Sequence, residues 1–373
     1  MAGIPFLDLA AAHRELADEL EPAVLAVLRS GRYVLGPEVE AFEAAFAELA
    51  GARHCIGVGN GLDALRLSLE AMEIGPGDEV IVPAHTYIAT WFAVSGTGAR
   101  PVPVDVDDRT YVLDLDAVEA AVGPRTRAII PVHLYGHPAP MTELLEIAGR
   151  HDLLVLEDAA QAHGATLDGR PMGSFGDAAA WSFYPVKNLG AAGDAGAITT
   201  NDDTLVRRLR LARNQGSLAR SVHEMIGSNS RLDPIQAAIL RVKLGHLETW
   251  NERRRQIAAR YLRGLAGTSL GLPIVAPGVV PAWHQFVVRH PDRDGLRGAL
   301  GAAGIETLIH YETPPHLQAA YAELGLGRGA FPRAERLAAE ILSLPIDPLL
   351  SDEDVDLVID TILGWNVRLV SAA

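Results

Sequence analysis

Lys187 and Lys243 are the two lysines among the 32 basic residues of this chain, and all the others are arginine. Positive charge alone would not require lysine in so biased a sequence. A primary amine, unlike a guanidinium, loses its proton at moderate cost and condenses with an aldehyde. Lys187 lies in Trp181-Ser182-Phe183-Tyr184-Pro185-Val186-Lys187-Asn188-Leu189-Gly190 and reads as a covalent anchor for a cofactor. Lys243 falls inside the helical pattern Ile239 to Leu244 and reads as an ordinary surface lysine.

Other residues supply what such an anchor would need. The apolar strand Leu153 to Leu156 ends in Glu157 and Asp158, and because side chains alternate along a strand, only one of the two acids can face a given ligand. A carboxylate there can bind a metal, act as a base, or hold a proton on a heterocyclic nitrogen; Asp158 alone would also serve as a helix N-cap. His163 is the one further metal ligand nearby, and no metal is expected. Gly57-Val58-Gly59-Asn60-Gly61-Leu62 joins a strand to a helix and offers backbone amides to a phosphate. Leu62 stands where a dinucleotide-binding G-x-G-x-x-G has its last glycine. Tyr87 follows a strand and can stack on a planar ligand; Ser182 adds a hydroxyl. A phosphate cradle, a stacking ring, a carboxylate for a pyridine nitrogen and an amine for an imine are together what pyridoxal 5'-phosphate requires. An unperturbed lysine, with a pKa of ~10.4, is a poor base at neutral pH. Lys187 therefore needs desolvation or neighbouring positive charge to move protons.

The elements that must position these groups alternate from about residue 50 to 245. Strand-like runs are His54 to Val58, Glu79 to Pro83, Arg100 to Val104, Ala128 to His133, Leu153 to Leu156, Ala178 to Phe183 and Ala195 to Thr200. Between them lie helical patterns, among them Leu62, Leu65, Leu69 and Met72 on one face, Met141 to Arg150, and Asp202 to Ala212. This alternation predicts an α/β domain with a mostly parallel sheet, its functional groups at the carboxyl edge. After about residue 248 the texture changes: a long amphipathic helix, a Gly/Pro-rich passage, the strand-like Trp283 to Arg289, the helix Asp294 to Ala303, the loop Ile309 to His316 and a terminal helix from Asp352. We expect a large domain over residues 1–248 and a smaller C-terminal α+β domain over 249–373. The cluster Arg253-Arg254-Arg255 reads as a solvated helix face.

Composition narrows the function. The formal charge of -15 opposes nucleic acid and anionic membranes. A single cysteine, Cys55, excludes an intrachain disulfide and reads as a buried strand residue. The start of the chain has neither a basic nor an apolar leader region, and a cytoplasmic protein is expected.

Four blocks carry a resemblance to a known family. They are Gly77-Asp78-Glu79-Val80-Ile81-Val82-Pro83, Glu157-Asp158-Ala159-Ala160-Gln161-Ala162-His163-Gly164-Ala165, Ser182 to Gly190, and Asn229-Ser230-Arg231-Leu232-Asp233-Pro234-Ile235-Gln236-Ala237-Ala238. In order and spacing the chain resembles the sugar aminotransferases of the DegT/DnrJ/EryC1/StrS group, which have the fold-type I, aspartate aminotransferase-like architecture. The resemblance implies that Lys187 forms the imine with pyridoxal phosphate, Asp158 pairs with the pyridine nitrogen, and Gln161 contacts the phenolic oxygen. It places Tyr87 on the ring and Asn60, Gly61 and Ser182 on the phosphate, with Asn229 reaching over from a neighbouring subunit of a homodimer. An amino acid, commonly glutamate, would donate nitrogen to a nucleotide-linked keto sugar in two half-reactions with ping-pong kinetics.

The segments Gly59 to Leu65 and Pro83 to Thr90 resemble enzymes that aminate C3 of thymidine-diphosphate 3-keto-6-deoxy sugars more than C4 enzymes. Tyr33, Tyr184, His310, Tyr311 and His316 are the sugar contacts this implies; His284 is a prospective pocket wall and His163 a hydrogen-bonding neighbour of the site. A dehydratase of the same fold would carry histidine at position 187. The alternatives are a C4 aminotransferase, a non-catalytic cofactor-binding regulator and a nicotinamide enzyme built on the Gly57 to Gly61 turn.

Overall fold

The computed structural model describes residues 3–219 and 221–372, with side chains at the carboxyl end described through residue 367. Among the described residues the strands are β1 His54–Val58, β2 Glu79–Pro83, β3 Arg100–Val104, β4 Thr126–Ile129, β5 Leu154–Asp158, β6 Thr166–Leu167, β7 Arg170–Pro171, β8 Ala178–Ser182, β9 Gly196–Thr200, β10 Val279–Val280, β11 Phe286–Arg289 and β12 Ile341–Leu344. Seven form the central sheet in the order β1-β9-β8-β5-β4-β2-β3. Neighbours pair in parallel from β8 through β5, β4 and β2 to β3, and β9 alone is antiparallel to both its neighbours. This is the mostly parallel sheet expected from the alternating pattern.

Register places the loops that matter. Gly196 pairs with Val58 on one side and Ser182 on the other, so the turn after β1 and the end of β8 meet across β9. Asp158 pairs with Ala180 one strand further along. Close approach explains the glycines: a Cβ on Gly196 would lie 2.5 Å from the Asn60 carbonyl, and one on Gly61 would lie 2.7 Å from Ser182 Cβ. Asn60 caps the helix Gly61–Ala71 by accepting the Asp63 amide at 2.8 Å. Two apolar layers cover the sheet. Phe42, Phe46, Trp181 and Phe183 pack on one side, and Ile56, Leu65, Leu69 and Trp91 on the other.

Two expected strands are shorter than their apolar runs. β4 stops at Ile129 because Pro131 has no N–H for the ladder. β11 starts only at Phe286, since Trp283 has φ 46°, outside extended geometry.

The C-terminal part packs the helices Leu247–Gly264, Arg293–Ala302 and Asp352–Ala372 around the antiparallel pair β11–β12. Its core holds Ile257, Tyr261, Phe286, Leu296, Leu344 and Val358. Ile4 is buried in this core and forms a parallel bridge with Ile305. The arginine cluster departs from expectation: Arg253 and Arg255 pair with Asp352, Glu248 and Glu252 outside, whereas Arg254 is 6% exposed and points inward. Three consecutive helical residues span about 200°, so one face cannot hold all of them. Among the described residues no helix is long and apolar enough to cross a membrane.

Candidate active site

β5 separates its two terminal acids as strand alternation requires. Glu157 turns into the packed face, where His133 Nε2 lies 3.0 Å away and the amides of Gly173, Phe175 and Gly176 each donate at 2.8 Å. Asp158 turns to a cavity of about 610 Å³. It is held by Thr90 Oγ1, which donates to Oδ2 at 2.8 Å, and by the Ala160 amide, 3.3 Å from Oδ1. No helix begins here, so Asp158 is not an N-cap. Burial raises its pKa above the ordinary carboxylate value, against the lowering effect of the Thr90 hydrogen bond.

Lys187 reaches the same cavity from the loop after β8, whose turn is closed by its amide donating to the Tyr184 carbonyl at 2.8 Å. Its side chain is half-buried at the cavity wall, with protein packed around all but the mouth. Desolvation brings its pKa down to about 8, against the opposing attraction of Asp158. Each member of this pair is thus shifted towards neutrality, since burial outweighs their mutual attraction. At the other end, Asn60, Gly61 and Ser182 line the cavity around the amino terminus of the helix Gly61–Ala71. That terminus presents amides and a positive dipole end to an anion.

Aromatic and polar groups form the remaining wall. Tyr87 is exposed, and its ring centroid lies 5.4 Å from that of Tyr311. Gln161 donates from Nε2 to Tyr311 Oη at 3.1 Å and accepts the Tyr135 amide at 2.5 Å. Tyr184, His310 and His284 line the same space. Burial lowers the His310 pKa to about 4 and that of His284 well below its usual value, so both present neutral rings.

The structure therefore gathers Asn60, Gly61, Tyr87, Asp158, Gln161 and Ser182 with Tyr184, Lys187, His310 and Tyr311. Three residues named from the sequence lie elsewhere in this chain. Tyr33 is exposed and donates to the Leu28 carbonyl at 2.9 Å. Asn229 is exposed and bridges Asn214. His316 is buried with Nε2 3.1 Å from Glu335 Oε1. His163 packs its ring among Phe46, Trp181 and Phe183, and the Ser182 backbone is the hydrogen-bonding group that acts on it. Sequence reading missed Thr90, Asp194 and Gln285. Thr90 stands four residues after Thr86 on the turn into a helix, a spacing that carries no signal without knowing that β2 and β5 share an edge.

Residues 14–363 match the DegT/DnrJ/EryC1/StrS aminotransferase family, and the chain belongs to it. It is similar to the dTDP-3-amino-3,4,6-trideoxy-alpha-D-glucose transaminase of Streptomyces venezuelae, at 54% identity over 99% of this chain and 98% of that protein. The erythromycin biosynthesis sensory transduction protein EryC1 of Saccharopolyspora erythraea is also 54% identical, over 96% of this chain and 98% of its own. The crystal structure of S. venezuelae DesV in complex with a ketimine intermediate matches with a TM-score of 0.97 at 54% identity, over 98% of this chain and 99% of that one. The family expected from the four motif blocks, and with it the aminotransferase fold, are borne out.

Proposed function

We propose that the chain is a pyridoxal-phosphate-dependent aminotransferase that moves an amino group from an amino acid, L-glutamate by preference, to C3 of a thymidine-diphosphate 3-keto-6-deoxyhexose. The observation that carries this is the convergence on one cavity of an amine depressed to about 8, a buried carboxylate, and a helix amino terminus walled by Ser182. The cofactor fits the residues present: a Cβ at Gly61 would close the cradle that its phosphate takes. In this reading Lys187 anchors the aldehyde carbon, Asp158 the pyridine nitrogen, Gln161 the phenolic oxygen, Tyr87 the ring, and Asn60, Gly61 and Ser182 the phosphate. When bound, the cofactor supplies an electron sink that lets a substrate Cα proton leave. Lys187, freed by the incoming amine and able to lose its proton near neutrality, accepts that proton and returns it on the other side of the exchange. Asp158 would hold a proton on the pyridine nitrogen, and that positive charge would offset the burial that raises the Asp158 pKa.

Tyr184, His310 and Tyr311 stand where a sugar would enter. Tyr33, His316 and Asn229 fit only as contributions from elsewhere in an assembly or as supports. A homodimer with shared sites is supported by the exposed apolar residues Leu218, Val222, Met225 and Ile226 in the segment before Asn229. The relatives' C3 chemistry favours C3 here, and the absence of a membrane-crossing helix among the described residues accords with a cytoplasmic enzyme.

The test is incubation with pyridoxal phosphate, glutamate and a panel of 3-keto and 4-keto nucleotide sugars, with the position of the new amine determined. Reaction of 4-keto substrates alone would overturn the C3 reading. A second reading, a regulator that holds the cofactor without turnover, draws on the sensory transduction role in the name of the EryC1 relative. Cofactor absorbance that does not respond to glutamate would select it.

A further inference from the structure

Arg254 is the feature the cofactor reading leaves unexplained. It lies on the helix Leu247–Gly264, is 6% exposed, and its Nη1 finds no hydrogen-bond partner. Among the described residues it forms no ion pair; Asp347 acts on it only at longer range. Burial lowers even this guanidinium to about 10. An unpaired buried cation is costly, and a fold that keeps one has left its partner to come from outside.

The place it points to is specific. Arg254 lines a cavity of about 260 Å³ that shares Val186, His284, Gln285 and His310 with the wall of the Lys187 cavity. A narrow cleft is lined by both Arg254 and Lys187. With His284 and His310 held neutral, Arg254 is the one permanent cation lining the 260 Å³ cavity. The same cavity carries two acids. Asp347 has both oxygens engaged by the amides of Asp8 and Leu349, each at 2.9 Å, and Glu306 accepts the Phe6 amide at 3.1 Å.

We propose that Arg254 binds a carboxylate of the amino-acid donor, in a subsite beside the Lys187 cavity. Size and charge choose the ligand class. The cavity, at about 260 Å³, is smaller than the ~300 Å³ at which pockets begin to take drug-sized ligands, and it suits a small metabolite better than a nucleotide. Glu306 and Asp347 oppose the guanidinium, and their repulsion penalises the higher charge of a diphosphate more than a single carboxylate. The donor amine must meet the carbon held by Lys187, and a carboxylate on the same small molecule falls within reach of the adjoining cavity. This proposal rests on the transaminase reading.

The test uses protein loaded with pyridoxal phosphate and glutarate, a dicarboxylate without an amine, as the calorimetric probe. Arg254→Gln should weaken glutarate about tenfold or more, the loss expected for a hydrogen bond between charged groups, and Arg254→Lys should recover part of it. Thymidine diphosphate affinity should not change in either variant. Glu306→Gln alters an exposed side chain, leaves the fold intact and should tighten glutarate several-fold. Equal glutarate affinity in wild type and Arg254→Gln would overturn the proposal, as would weakening of thymidine diphosphate instead, or no glutarate binding to wild type. Should Arg254→Gln not fold, unchanged affinity in Glu306→Gln overturns it. The transaminase reading fails separately, if glutamate leaves the wild-type cofactor absorbance unchanged.

Discussion

Glu157 and Asp158 are adjacent on one strand, yet the fold treats them in opposite ways. The face that receives Glu157 surrounds it with His133 and the amides of Gly173, Phe175 and Gly176, and these hydrogen bonds hold its pKa below the ordinary value in spite of burial. The face that receives Asp158 offers Thr90 and one amide, leaves it beside an open cavity, and raises its pKa. The two lysines repeat the contrast. Lys243 donates to the Gly190 carbonyl at 2.7 Å, whereas the side-chain amine of Lys187 makes no hydrogen bond or ion pair among the described residues. A satisfied buried group is part of the scaffold; an under-satisfied one facing a cavity marks where a ligand completes the set.

The largest effect that would break this contrast is at Lys187. Lys187→Ala should lower transamination by at least ~10³-fold, through loss of both the anchor and the proton carrier. Borohydride should no longer fix a pyridoxyl group to the chain, as read by mass spectrometry. Since the amine satisfies no partner, the unfolding midpoint should move by no more than about 3 °C. Sustained turnover by this variant would remove Lys187 from the site.

Much of this was legible in the sequence because its signals are local. Alternation at the end of β5 separated the two acids, and the glycine turn before a helix marked an anion site. The rarity of lysine pointed to position 187. What was not legible depends on packing between distant segments. Arg254 reads as solvated because it stands in an unbroken run with Arg253 and Arg255, which do pair with acids at the surface, and only the docking of its helix near Asp347 turns it inward. The enclosure of His163 by three aromatic rings is likewise invisible in the sequence, because Phe46 comes from a distant helix.

Glu157→Ala strands His133 and three backbone donors in the core, and the cofactor-free protein should lose about 3–5 kcal/mol in denaturant unfolding. Asp158→Asn should cost the cofactor-free protein nothing and stabilise it at neutral pH, while lowering turnover severely. Equal destabilisation by the two substitutions would mean that the faces of β5 do not differ as described.

Acid titration should separate the same residues with opposite signs. The folded pKa of Glu157 is lowered, so its contribution is present above the unfolded carboxylate value of about 4.3 and is lost as pH falls through the folded value. The deficit of Glu157→Ala should therefore shrink towards pH 3. The folded pKa of Asp158 is raised, so its contribution is present below the unfolded value of about 3.9 and is lost as pH rises through the folded one. The gain of Asp158→Asn should accordingly vanish in acid. Unfolding curves of the cofactor-free proteins from pH 3 to 7 give both trends, and parallel trends would refute the assignment.

The smallest expected effect concerns Thr90, which joins the two faces of the argument. Its hydroxyl donates to Asp158 Oδ2 at 2.8 Å and lies 3.1 Å from Thr86 Oγ1, so it fixes the carboxylate's orientation from a fully buried position. It also stabilises the charged form, because the hydrogen bond lowers the Asp158 pKa. Thr90→Val keeps the shape and removes the donor, at about 1 kcal/mol or roughly fivefold in pyridoxal phosphate affinity. The pH midpoint of the bound cofactor's absorbance should shift with it, because an aspartate less able to hold its charge holds the pyridine proton less firmly. Thr90→Ser, which restores the donor without the methyl group, should return the midpoint and most of the affinity. If valine and serine behave alike, Thr90 supports packing alone, and the orientation of Asp158 must come from the Ala160 amide.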